Sequence, residues 1–182
     1  MKNAKEVVGL PVIELQQGRA IGCVQSLVFN RGTRRVEALE VGDRSLLKSS
    51  LKQVSLSAVR SFGSDKVTLH SFDAAPEDTQ AQDMIETQKK KLPGSRLITV
   101  DGTLVGTVDD FSFSTENGEL FYLYVVLEKT GEYLDLQVTS VENFGHDYIV
   151  ISDDYLEHST KIYFMKREQP SYVKGKKLQQ IL

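Results

Sequence analysis

The stretch Gly18-Arg19-Ala20-Ile21-Gly22-Cys23-Val24 decides the fold, because its pattern returns 84 positions later as Gly102-Thr103-Leu104-Val105-Gly106-Thr107-Val108. Both glycines and the final valine keep their places. The same offset aligns Phe29 with Phe113. Self-similarity at a fixed spacing is the sequence signature of a repeated structural unit. The 182 residues are therefore predicted to hold two copies of one fold.

A second alignment block extends the repeat to the end of each copy. With an offset of 82, Val59–Asp65 matches Val141–Asp147, and a loop absorbs the two-residue difference between the blocks. We expect the two copies to superpose strand for strand, with Gly22 equivalent to Gly106 and Phe62 equivalent to Phe144.

Within each copy the pattern is that of β-strands. Apolar residues dominate every second position from Ile21 to Phe29, and Gly- and Asn-bearing turns follow at Asn30–Thr33 and Glu116–Glu119. Short strands at this spacing favour a small antiparallel barrel over a βαβ sheet. The apolar positions kept by both copies give the expected cores: Val24, Leu39, Val41, Val59 and Val67 in the first, and Val108, Leu123, Val125, Val141 and Ile149 in the second.

The segment between the copies has the composition of a helix. It runs from Pro76 to Lys91 with acidic residues first and lysines last, which suits the helix dipole, and Pro93-Gly94 follows it. The fold class is thus all-β, with two tandem antiparallel β-barrels joined by a short helix. The predicted boundaries are 1–75 for the first barrel, 76–91 for the linker helix, 92–155 for the second barrel and 156–182 for a C-terminal extension.

Composition narrows the class of protein. The chain is 40% hydrophobic and 26% charged, as expected for a folded globular protein, and it has no apolar run near the ~20 residues of a membrane helix. No signal peptide pattern opens the sequence, so a cytoplasmic location is expected. The single cysteine, Cys23, excludes an internal disulfide.

The usual signatures of catalysis are missing from the sequence. The Gly18/Gly22 and Gly102/Gly106 pairs lie within hairpins, so they lack the helix N-terminus that lets glycine loops hold phosphate. The three histidines have no metal-ligand spacing. His146 is expected in an exposed turn and Cys23 as a small strand residue. Asp109-Asp110 is an acidic pair whose members should point to opposite faces of a strand. No enzyme activity, cofactor or metal is expected.

The C-terminal extension from Leu156 has a local net charge of +4, which leaves −7 for the rest of a chain whose total is −3. Tyr163, Phe164 and Tyr172 interleave with the bases, a composition suited to phosphates, anionic lipid or an acidic protein surface. The extension predicts either a short added strand at Ile162–Met165 followed by a solvated tail, or an anion-binding segment. The candidate anion-binding residues are Lys161, Lys166, Arg167, Lys174, Lys176 and Lys177.

The doubled pattern resembles the PRC-barrel family, which includes the β-barrel of the photosynthetic reaction centre H subunit and the C-terminal domain of the ribosome-maturation protein RimM. The likeness is carried by Val8–Val12, the Gly18/Gly22/Val24 hairpin, the turn at Asn30–Arg34, Val36–Val41 and Val54–Val59, and in the second copy by Asp101-Gly102-Thr103-Leu104-Val105-Gly106. It spans about residues 5–72 and 92–152.

The resemblance implies a non-enzymatic adaptor or assembly module that binds a protein partner. The alternative is a binder of an anionic surface, RNA or the inner leaflet of a membrane, through the basic C-terminal extension.

Overall fold

The computed structural model describes residues 1–42, 51–70, 89–157 and 159–163. Most of the predicted linker helix at 76–91 and most of the basic extension lie outside these ranges.

The first sheet arises from the first copy of the repeat. Its strands run in the order β5-β4-β3-β2-β7-β6. Their bounds are β2 Pro11–Glu14, β3 Arg19–Asn30, β4 Arg35–Gly42, β5 Lys52–Ser55, β6 Val59–Phe62 and β7 Val67–Leu69. A 3-10 helix at Leu56–Ala58 joins β5 to β6.

The second sheet arises from the second copy and has the same strand order, β13-β14-β9-β10-β11-β12, with β15 added beside β12. The bounds are β9 Arg96–Thr99, β10 Leu104–Phe113, β11 Leu120–Leu127, β12 Tyr133–Gln137, β13 Val141–Phe144, β14 Tyr148–Ile151 and β15 Ser159–Tyr163. A 3-10 helix at Val138–Ser140 joins β12 to β13, as the 3-10 helix of the first sheet joins β5 to β6.

Residue pairing in the two sheets is as similar as their strand order. Val24 faces Val41 in the first sheet, and Val108 faces Val125 in the second. Both long strands also carry β-bulges at equivalent places, directly after these valines and just before Phe29 and Phe113. Gly22 pairs with β2 and Gly106 with β9, so the two glycines occupy equivalent positions.

Three details differ from the prediction. Neither sheet closes into a barrel by backbone pairing, because the edge strands β5 and β6 of the first sheet, and β13 and β15 of the second, do not pair with each other. Each sheet is also not purely antiparallel, since β2 pairs with β7, and β9 with β14, in parallel. The α-helix of the described residues is a single turn, α1 at Ala4–Val7, which was not predicted.

The two units exchange their leading segments. Strand β1, Lys2–Asn3, precedes the first unit but pairs with β10 of the second sheet at Phe113 and Ser112. Strand β8, Lys89–Lys90, precedes the second unit but pairs with β3 of the first sheet at Phe29 and Asn30. Each unit thus supplies a short edge strand to the other.

A single hydrophobic core spans both sheets. Every predicted core residue is buried except Val59, which is half-buried and packs against the core. The burial of Leu39 and Leu123, both fully enclosed, shows that the alternation of apolar residues was assigned to the correct face.

None of the helices in the described part of the chain has the length and hydrophobicity that a membrane crossing requires.

Candidate binding clefts between the two units

The contact between the two units, which we call the seam, has approximate twofold symmetry. Arg35 forms an antiparallel bridge with Glu119, and these two positions are equivalent in the repeat. A residue meets its own equivalent only near a twofold axis, as in the self-complementary interfaces of symmetric dimers. The seam is therefore the intramolecular counterpart of a dimer interface.

Two aromatic pairs repeat this symmetry. Phe29 packs on Phe144 with ring centroids 4.8 Å apart, and Phe113 packs on Phe62 at 5.8 Å. Phe29 is equivalent to Phe113, and Phe144 to Phe62, so each pair is the symmetry counterpart of the other. Both have the tilted or edge-to-face geometry that aromatic rings prefer.

Arg34 fills the seam on one side. It lies at the end of the hairpin turn, where Asn30 accepts hydrogen bonds from the Gly32 and Thr33 amides, and it has a φ of 57°. Its guanidinium donates to the carbonyl of Val141 at 3.2 Å and to that of Glu142 at 2.8 Å. The guanidinium carbon also lies 5.9 Å from the ring centroid of Phe144, within cation–π range.

Gly118 occupies the equivalent position on the other side. It shares the left-handed conformation, with a φ of 75°, but has no side chain to extend across the seam. Its carbonyl accepts from the Val36 amide at 2.8 Å, and a Cβ atom added there would collide with the carbonyl oxygen of Val36. Glycine is thus required by close backbone approach as well as by φ.

A cleft of about 370 Å³ opens where no arginine fills the seam. We call it the open cleft. It is lined by Met1, Lys2, Val59, Arg60, Ser61, Phe62, Thr115 and Glu116. The strand β6 along its wall is the equivalent of β13, whose carbonyls hold Arg34. Among the described residues, no side chain donates to the carbonyls of Val59 or Arg60.

A second cleft of about 210 Å³ lies elsewhere on the seam, and we call it the apolar cleft. It is lined by Ala4, Val8, Gln25, Ser26, Leu27, Lys91, Pro93 and Phe111. Leu27 and Phe111 are equivalent positions and both are buried, so the two units contribute matching parts of the floor. On the first sheet, Ser26 donates a hydrogen bond to Glu40, and Lys91 lies 4.0 Å from the same carboxylate.

A buried carboxylate holds the N-terminal helix against the second sheet. Asp110 accepts from the backbone amide of Lys5 at 3.1 Å, and Asp109 pairs with the Lys5 ammonium at 2.7 Å. Both carboxylates thus contact Lys5, Asp110 at its backbone amide and Asp109 at its ammonium, next to the bulge that follows Val108. Burial raises the pKa of Asp110 above its ordinary value, against the lowering effect of its hydrogen bonds from the Phe111 and Lys5 amides.

The residues proposed from the sequence as anion-binding are not tested by the structure. Lys161 lies in β15, where its backbone is described but its side chain is not. Lys166, Arg167, Lys174, Lys176 and Lys177 lie outside the described residues. Strand β15 begins earlier than the strand expected at Ile162–Met165, and it pairs Ile162 with Leu134.

The remaining polar candidates occupy the positions expected of them. Cys23 is a half-buried strand residue between Pro11 and Gly42, and His146 lies exposed in its turn with Nδ1 3.0 Å from Asp147. In the ranges that the structure describes, no group of three or more His, Cys, Asp or Glu side chains is placed to share a metal ion.

Sequence reasoning did not find Arg34. The turn Asn30–Thr33 was interpreted only as hairpin chemistry, and a charged residue after it has the ordinary interpretation of a solvated turn. The sequence did contain a signal, because the offset of 84 aligns Arg34 with Gly118. A large residue aligned with glycine marks a position where the two copies make different contacts.

Comparison with protein families agrees with the fold. The described residues form two sheets with matching strand order, which is the architecture of a small β-module. Residues 1–76 match the family model of the PRC-barrel domain. PRC-barrel domains mediate protein interactions and are generally non-catalytic. No curated protein matches the sequence.

Proposed function

We propose that this chain is a non-enzymatic adaptor made of two PRC-barrel units, at 1–75 and 92–155, which binds a protein partner at the seam. The proposal places a linker at 76–91, a basic extension at 156–182 and the protein in the cytoplasm. The matching strand order and register of the second sheet support a second PRC-barrel unit.

The observation that carries the proposal is the apolar cleft. Ala4, Leu27 and Phe111 form a floor contributed by both units, and Val8 stands on its rim with 44% of its surface exposed. A floor of this kind suits an apolar side chain of a protein partner, because burial of apolar surface is worth about 25 cal/mol per Å². Small-molecule sites also have an apolar lining, but they add a few polar groups that converge on the ligand.

The test is affinity capture by the tagged full-length chain from its native host, with two matched variants. Val8→Glu places a carboxylate on the rim of the apolar cleft, and Leu15→Glu is the control, since Leu15 is similarly exposed, at 50%, and does not line this cleft. A partner that is lost with Val8→Glu and kept with Leu15→Glu at high salt supports the proposal. Partners held equally by both variants would contradict it.

A second candidate function rests on charge. The +4 extension attached to a −7 body would attract RNA or an anionic membrane surface over long range. Such binding weakens steeply with salt, whereas an apolar protein contact does not. The salt series of the capture experiment therefore separates the two candidates.

A further inference from the structure

Arg34 occupies one of two equivalent places that the symmetry of the seam provides among the described residues. On the filled side the acceptors are two successive carbonyls of β13, Val141 and Glu142, and the ring of Phe144 lies beside them. On the open side the equivalent atoms are the carbonyls of Val59 and Arg60 on β6, with the ring of Phe62. Both strands pair with their neighbours in the same register, including the bulge after the first residue.

We propose that the open cleft binds an arginine side chain of a protein partner. The guanidinium would donate to the carbonyls of Val59 and Arg60 and lie beside the Phe62 ring, as Arg34 does at β13. The inference rests on the proposed protein-binding function, and it specifies the chemical group that the partner presents.

Charged groups of both signs surround the open cleft. Glu116 offers the guanidinium a counter-charge, whereas Lys2 and Arg60 oppose it. Lys2 directs its ammonium to the carbonyl of Gly63 at 3.4 Å. Exposed charges contribute little to binding, so the paired carbonyls and the ring determine selectivity. A guanidinium has parallel N–H donors that fit two neighbouring acceptors, and an ammonium does not.

The first test titrates the full-length protein with N-acetyl-arginine methylamide and follows backbone amide signals by NMR. Saturable shifts are expected at Ser61, Phe62, Thr115 and Glu116, with binding at least about threefold tighter than for N-acetyl-lysine methylamide. Equal binding of the two probes, or stronger binding of N-acetyl-glutamate methylamide, would overturn the proposal.

Matched variants locate the binding. Ser61→Trp places a large ring in the open cleft and should abolish the shifts. Asn143→Trp is the control, because Asn143 is the equivalent exposed residue beside the filled side. Unchanged arginine binding by Ser61→Trp would refute the site. Unchanged binding by Ser61→Trp would not affect the capture experiment with Val8→Glu, so the two proposals can fail independently.

Chemical rescue tests guanidinium binding on the filled side, where Arg34 already donates to the carbonyls of Val141 and Glu142. Arg34→Ala should lower the thermal midpoint, and N-acetyl-arginine methylamide should restore part of the loss. The lysine derivative should restore less, and Arg19→Ala, which removes an exposed arginine elsewhere, should show no rescue. Equal rescue by both derivatives would show that paired carbonyls do not select a guanidinium, which would overturn the inference for β6 as well.

Discussion

Replacement of Phe144 by leucine tests whether the two units fold as one structure. Phe144 is 3% exposed and packs on Phe29, which is fully buried in the other unit. Leucine keeps most of the volume, so the expected loss is about 1–1.5 kcal/mol for each of Phe144→Leu and Phe29→Leu. A double-mutant cycle should give a coupling of about 0.5–1.5 kcal/mol, the value of an aromatic pair beyond its buried area.

The assay is urea unfolding followed by far-ultraviolet circular dichroism, because the chain has no tryptophan to report by fluorescence. A single transition is expected, with the midpoint lowered and the slope unchanged, since a mutation that alters stability alone leaves the slope as it was. Hydrogen exchange should accelerate in both sheets. The matched cycle at Phe113 and Phe62 should give a smaller coupling, because the rings are 5.8 Å apart and Phe62 is only half-buried.

Two transitions, with Phe144→Leu shifting only one of them, would refute the shared core. A coupling below about 0.3 kcal/mol between Phe144 and Phe29 would also refute it, because independent sites are additive within that margin.

Four further outcomes are expected. Leu123→Ala should cost about 2–5 kcal/mol in denaturant unfolding, as Leu123 is fully buried, and a loss under about 0.5 kcal/mol would mean that the register is wrong. Gly106→Ala should cost about 1–3 kcal/mol because its Cβ would overlap the Val126 carbonyl oxygen, and a neutral result would exclude that close approach. The raised pKa of Asp110 means that its ionisation opposes folding, so the stability of Asp110→Asn relative to wild type should increase as pH rises from about 3.5 to 7; a flat difference would contradict this. A chain ending at Arg167 should bind RNA and anionic vesicles more weakly than the full chain at low salt, and equal affinities would eliminate the charged extension as the cause.

The equivalence of the two copies and the buried face of their strands could be predicted from the sequence, because the repeat displays the same features twice. Apolar alternation fixes which face of a strand is buried, and a slip by one residue would expose the whole set. Val24 and Val108 therefore lie where expected. The matching glycines of the two hairpins set the 84-residue offset at which the two copies align in the sequence.

The exchange of β1 and β8 could not be predicted in the same way. Two-residue strands such as Lys2–Asn3 carry no periodicity, and the partner of Lys2 is Phe113, far away in sequence. The parallel pairing of β2 with β7 was missed for a related reason, since hairpin signals identify antiparallel neighbours only. The bulge after Val108 shows a third limit, because an extra residue in one strand leaves no clear mark in the sequence.

The candidate clefts follow from the places where the two copies differ within a shared framework. A symmetric interface presents each contact twice, so a side chain that is large in one copy and absent in the other leaves one contact without its counterpart. Arg34 and Gly118 are such a pair. Leu27 and Phe111 show the opposite case, in which both copies supply an apolar residue and the floor of the apolar cleft is complete on both sides. Because the backbone register is the same on both sides of the seam, the difference between the filled and open sides is carried by side chains. A substitution at Gly118 should nevertheless disturb the fold as well as the open cleft, because its Cβ atom would collide with the Val36 carbonyl oxygen.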